Sequence, residues 1–180
     1  IEKGSILAKL RRNKDLFFGT TEVSADKASA IAEAERESSA IFSESIIWTE
    51  QLGCFYEVEG EREKAIKAYE KCIINGYYAP IYDLALMYLE DGDEGYYKTL
   101  MELGMELRVP DCRVLGMENE YRWESLSGDE RLNIYRQLER NLPEGIEQGS
   151  GVCAYMLADA LLNGKFRSEE RRVGKECEGM

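Results

Sequence analysis

The sequence predicts an all-α fold, an α-solenoid of stacked antiparallel helix-turn-helix hairpins. Three observations predict it. Apolar residues recur at helical period in separate short windows. Short, glycine-marked breaks close those windows. A Leu-Gly or Leu-Ala pair returns along the chain ahead of a further glycine. No window holds the period-2 alternation of a strand, and only three prolines occur in 180 residues, which leaves helix formers unopposed.

The windows place the elements. Ala65, Ala68, Tyr69, Cys72 and Ile73 fall on one helical stripe, as do Ile81, Leu84, Ala85, Tyr88 and Leu89, and again Ala154, Leu157, Ala158, Leu161 and Leu162. Asn75-Gly76, Asp91-Gly92, Ser127-Gly128, Gln148-Gly149 and Asn163-Gly164 close runs of this kind, because glycine enters the left-handed cap conformation without a Cβ clash. Pro80 and Pro110 stand where a first helical turn tolerates proline. The expected helices are 2–17, 25–39, 42–58, 61–75, 79–90, 93–107, 110–126, 129–142 and 151–163, with Pro143 interrupting the eighth. They make about four hairpins, the first degenerate, in one helical repeat domain over 1–166.

The repeated pairs are Leu52-Gly53, Leu84-Ala85, Leu115-Gly116 and Leu157-Ala158, each on the first helix of a hairpin. Glycine within a helix costs about 1 kcal/mol relative to alanine. Close packing offsets that cost at Gly53 and Gly116: the small residue lets the second helix approach, and the leucine beside it supplies the buried knob. Gly76 and Gly149 stand the same distance ahead of Ala85 and Ala158, while Leu107 occupies that place ahead of Gly116.

With these residues in view, KAIKAYEKCIINGYYAPIYDLALMYLEDG (64–92) resembles a Sel-one-like repeat, a relative of the tetratricopeptide repeat, through Lys64-Ala65, Tyr69, Gly76, Leu84-Ala85, Tyr88 and Gly92. A weaker copy runs over 135–164, through Gly149, Leu157-Ala158 and Gly164. The resemblance implies a superhelix whose first helices line a concave face, and a role as adaptor in assembled complexes. The architecture points the same way: stacked hairpins give an extended groove suited to a peptide or partner helix. Candidate contacts are Trp48, Tyr77, Tyr78, Tyr96, Tyr97 and Trp123, since aromatic side chains make favoured anchors. Packing in the seams between repeats is the alternative role for the same side chains.

Composition narrows the function. Thirty-five acids against 23 bases give a net charge of −12, which repels phosphate backbones and favours a partner protein with a basic surface over nucleic acid. The absence of histidine removes the commonest general base and zinc ligand. Cys54, Cys72, Cys112, Cys153 and Cys177 make no Cys-x-x-Cys motif. Asp91, Asp93 and Glu94 do not have the spacing of a calcium loop. No stretch suits a membrane span. The expectation is a cytoplasmic, non-catalytic interaction module with no cofactor or metal. Two alternatives stand beside it. One is a secreted cysteine-stapled repeat protein interacting with β-lactams, for which Cys54 and Cys72 would pair within one hairpin. The other is the regulatory domain of a larger enzyme. Arg167 to Cys177, RSEERRVGKEC, resembles a one-frame translation of a sequencing adapter. Residues 167–180 are therefore expected to be an artefactual or disordered tail on a fragment of a longer protein.

Overall fold

A computed structural model describes residues 5–40, 45–120 and 127–162, without the side-chain surroundings of 116–120, 128, 131, 132 and 135. Among the described residues every regular element is an α-helix: α1 (Ile6–Phe18), α2 (Lys27–Ser38), α3 (Ser45–Val58), α4 (Arg62–Ile74), α5 (Ile81–Glu90), α6 (Glu94–Glu106), α7 (Pro110–Glu120), α8 (Gly128–Glu147) and α9 (Gly151–Leu162). Within the span read as one repeat domain, the helices group into two compact units that divide between Asp91 and Gly92.

Local chemistry starts and stops these helices. Asp26 and Asp93 accept the amides of Ser29 and Tyr96, and Ser127 with Glu130 closes a capping box on α8. After α4, Gly76 takes φ 81°, and the amides of Gly76 and Tyr77 return to the carbonyls of Ile73 and Cys72. Gly149, at φ 90°, does the same after α8. After α6 the left-handed residue is Arg108, at φ 59°, one place beyond the Leu107 that the spacing singled out. Its amide and that of Val109 bond to Met105 and Gly104, so the closure survives with a side chain where glycine would be unstrained.

In the first unit each helix packs on the next, and α1 also meets α3. Leu10, Phe17, Ala30, Ala34, Trp48, Leu52 and Phe55 form its core. The rings of Phe17 and Phe55 stack with centroids 4.0 Å apart. A polar pair sits inside this apolar cluster. Asn13 is fully buried, and its Nδ2 donates to the Ala30 carbonyl at 3.0 Å and to Glu33 at 2.9 Å. Gln51 Nε2 donates to Asn13 Oδ1 at 2.5 Å, joining α3 to α1. A buried amide left without partners would cost about 1–3 kcal/mol, so this network also fixes the register of three helices.

The second unit repeats the pattern: α6 on α7, α7 on α8, α8 on α9, with α7 also meeting α9. Its core holds Val114, Ile134, Leu138, Leu142 and Cys153. The helix expected to end at 142 continues through Pro143 to Glu147. Burial of Leu142, and the close seat of Gly145 against Cys153 and Pro110, hold the last turn in place although Pro143 has no amide hydrogen to give the ladder.

Candidate interaction surface

The close approach read from Gly53 is the best-defined feature of the α3–α4 pair. An ideal Cβ on Gly53 would stand 2.5 Å from Cε1 and 2.7 Å from Cδ1 of Tyr69, so the ring occupies the space that any side chain at 53 would need. Tyr69 is held in turn by its hydroxyl, which donates to Glu57 at 2.7 Å and lies 3.5 Å from the Cys54 sulfur. One turn back on α3, Glu50 accepts the Tyr77 hydroxyl at 2.8 Å. The Cys72 thiol points to the Ile46 carbonyl at 3.6 Å. Phenols, thiols and carboxylates therefore alternate along the seam between α3, α4 and the turn that follows α4.

Burial governs the titration of this seam. Desolvation pushes the Glu50 carboxyl above its ordinary value, opposed by the Tyr77 hydrogen bond and by Lys14. Desolvation also raises Cys54, against the Tyr69 bond, and pushes Cys72 up to about 12 with Glu50 adding repulsion. Tyr69 and Tyr77 are raised mainly by burial too, and by the anions beside them. At neutral pH the seam carries protonated thiols and neutral phenols, and its reactive groups are held as hydrogen-bonding partners. The four described cysteines, Cys54, Cys72, Cys112 and Cys153, are free thiols, and the Gly53–Tyr69 contact joins the α3–α4 hairpin with no disulfide between Cys54 and Cys72.

The candidate contact residues fall in different settings. Trp48 is 3% exposed and belongs to the core of the first unit, so it fills a seam and offers no face to a partner. Tyr77 is half-buried on Glu50, whereas its neighbour Tyr78 is exposed. Tyr96 is exposed at the start of α6, its amide on the Asp93 cap, and Tyr97 is half-buried. Trp123 lies outside the described residues. The structure thus pairs Tyr77 with Tyr78 in one turn and Tyr96 with Tyr97 in one helical turn.

The packing residues divide similarly. Leu52, Gly53, Leu84 and Ala85 are buried, and Leu115 and Leu157 are half-buried. The surroundings of Gly116 lie outside the described residues. Ala158, expected under a second helix, is exposed.

Two contacts were not read from the sequence. Gly145 is a close-approach glycine on a second helix: a Cβ there would meet the Cys153 sulfur, and would stand 3.1 Å from the Pro110 Cβ. Its only signal was a glycine two residues after a proline, which reads as a helix end. Arg62 closes the α4–α5 pair, donating to the Met87 carbonyl and lying 2.7 Å from Asp91 and 3.3 Å from Glu90. Testing Asp91, Asp93 and Glu94 against the spacing of a calcium loop did not connect Asp91 to an arginine a helix away.

Among the described residues no group of three or more acids, cysteines or histidines could hold a metal ion, and no helix is long and apolar enough to cross a membrane. Comparison of the chain with protein-family models, with curated proteins and with solved structures returned no match.

Proposed function

We propose that the chain is a non-catalytic interaction module, an adaptor or scaffold. Its hairpins would stack as a solenoid of the Sel-one-like kind and take a partner peptide or helix along the face lined by the first helices. The observation that carries the reading is the packing order within each unit. Each helix lies on its successor, and two pairs of first helices also touch, α1 with α3 and α7 with α9. Such stacking would give each unit a face lined by first helices. The charge of −12 favours a basic partner surface, and the free, mostly buried thiols suit a cytoplasmic setting.

The test is affinity capture from a lysate of the source organism, comparing the native chain with a Tyr78→Ala, Tyr96→Ala variant of unchanged circular dichroism, with washes at rising salt. A discrete partner held by the native chain, lost by the variant and weakened by salt supports the module and its anchors. A folded bait that retains nothing specific removes the stand-alone adaptor and favours the regulatory half of a larger enzyme.

A further inference from the structure

Asparagine followed by glycine is the sequence in which a main-chain amide most readily attacks a side-chain amide, because glycine carries no Cβ to crowd the nitrogen. The chain has this dipeptide at Asn75-Gly76 and at Asn163-Gly164, and the latter lies outside the described residues. Asn75 ends α4 as its C-cap, and both it and Gly76 are exposed. Gly76 stands at φ 81°, and a Cβ built on it would meet nothing within 4 Å, so no packed neighbour shields the turn there. Two bonds hold the reacting groups apart. The Gly76 amide donates to the Ile73 carbonyl at 3.0 Å, and Asn75 Nδ2 donates to the Lys71 carbonyl at 2.7 Å. Both belong to a helix end, the part of a helix that frays first.

Other positions mark the contrast. Asn13 is buried, and Asn141 accepts from Arg113 at 3.0 Å. Asn133 is exposed, but it lies within α8 and is followed by the buried, β-branched Ile134. Asp91-Gly92 repeats the turn, with Gly92 at φ 79°. There the carbon under attack would belong to a carboxylate 2.7 Å from Arg62, which a nucleophile attacks far less readily than an amide.

We propose that Asn75-Gly76 is a site of self-modification, at which Asn75 deamidates through a cyclic imide and releases the turn that carries Tyr77. Hydroxide takes the Gly76 amide proton, and the nitrogen forms a bond to Asn75 Cγ. The Cγ–Nδ2 bond breaks, and Nδ2 leaves as ammonia with a proton from water, which restores the hydroxide. Water then opens the imide at either carbonyl. Attack at Cγ gives aspartate; attack at the main-chain carbonyl gives isoaspartate, in which the chain runs through Cγ. The balance is one water consumed and one ammonia released, with nothing oxidised or reduced. Either product changes the turn. A carboxylate cannot donate to the Lys71 carbonyl, and its charge opposes the negative end of the α4 dipole. Isoaspartate also lengthens the main chain by a methylene, directly ahead of Tyr77, whose amide returns to Cys72 and whose hydroxyl rests on Glu50 at 2.8 Å. The proposal does not rest on the adaptor reading, because its chemistry needs only the turn and water.

The test incubates the full chain in heavy-oxygen water at mildly alkaline pH, followed by peptide mapping with mass spectrometry and by enzymatic methylation of isoaspartate. Asn75 is expected to take up label at least about tenfold faster than Asn133, a barrier difference of about 1.4 kcal/mol, with isoaspartate among the products. The modified chain, separated by its added charge, should exchange its Gly76 and Tyr77 amide hydrogens at least about tenfold faster than the native chain. Asn75→Asp, which supplies the aspartate form with the main chain unlengthened, should give a smaller acceleration, and an equal one overturns the part assigned to isoaspartate. Labelling of Asn75 only in urea-unfolded chain overturns the site, as does equal labelling of Asn75 and Asn133. A modified chain whose two amides exchange at the native rate overturns the release of the turn.

Discussion

Gly53→Ala isolates the close approach of α3 and α4. Alanine is intrinsically the better helix former, by about 1 kcal/mol, so an unpacked site would be stabilised. Here the new methyl would stand 2.5 Å from Tyr69 Cε1 and 3.2 Å from Cζ. Carbon atoms in contact keep about 3.5–4.0 Å, so ring or helix must give by about 1 Å. The ring cannot swing freely: it is fully buried, and its hydroxyl is fixed on Glu57. Overpacking of this kind costs about 1–3 kcal/mol, and the movement weakens a charge-assisted hydrogen bond as well. The net expectation is a loss of about 1–2 kcal/mol after the helical gain is subtracted. Urea unfolding in a Trp123→Phe background, followed by the fluorescence of buried Trp48, reports on the first unit alone. Tyr69→Ala by itself should cost about 3–5 kcal/mol, and the double variant should fall short of the sum by about 2–3 kcal/mol, because the methyl then has room and the helical gain of alanine returns. A Gly53→Ala chain as stable as the native one, or additive behaviour in the cycle, would refute the close-approach argument.

Other perturbations address separate features. Arg108→Gly should stabilise the second unit by about 0.5–1 kcal/mol, since φ 59° strains any residue with a Cβ; thermal unfolding that moves downward would count against this. Asn13→Leu should destabilise the first unit by about 2–4 kcal/mol, because it strands the Gln51 amide, and Asn13→Leu with Gln51→Leu should recover part of the loss; a chemical denaturation series decides. Glu50 titrates higher in the folded chain than its ordinary 4.5, so the folded state holds that proton more tightly. Its contribution to stability is therefore greatest below about pH 4.5 and declines as pH rises through the raised folded value. Glu50→Gln, whose amide oxygen still accepts from Tyr77, should flatten that decline, and a native-like slope in the variant would contradict the assignment.

The helices themselves were legible because each apolar stripe is a local property. The windows over 61–75 and 79–90 correspond to α4 and α5, the window over 110–126 holds α7 as far as Glu120 with 121–126 outside the described residues, and the Leu52-Gly53 pair falls where an ideal Cβ would meet the Tyr69 ring. Pro143 misled because proline reads as an interruption from the backbone alone, whereas side chains on both sides of it hold α8 together. The α9 stripe shows a deeper limit. Ala154, Leu157, Ala158, Leu161 and Leu162 trace one helical face, yet the unit buries the adjacent one, centred on Cys153 and Ala160. Both faces are apolar, so periodicity alone cannot say which of them the rest of the unit covers. Trp48 posed the same problem, since an aromatic at helical spacing suits a core or a binding face equally, and only its neighbours Phe17 and Phe55 decide. Asn13 and Gln51 carried no signal, because two polar residues reveal a shared buried site only when three helices meet.

The order of packing also bears on how the chain is made. The Asn13–Gln51 bond spans 38 residues and the Asp111–Ser150 bond 39, each the distance from one helix to the next but one. A helix leaving the ribosome would thus find the helices it packs against already outside the exit tunnel. Short loop closures of this kind favour fast, vectorial assembly, one helix at a time. A stall after α2 would present the Ala30–Ala34 face with Trp48 and Phe55 still to come, and that interval is when a chaperone would have most to hold.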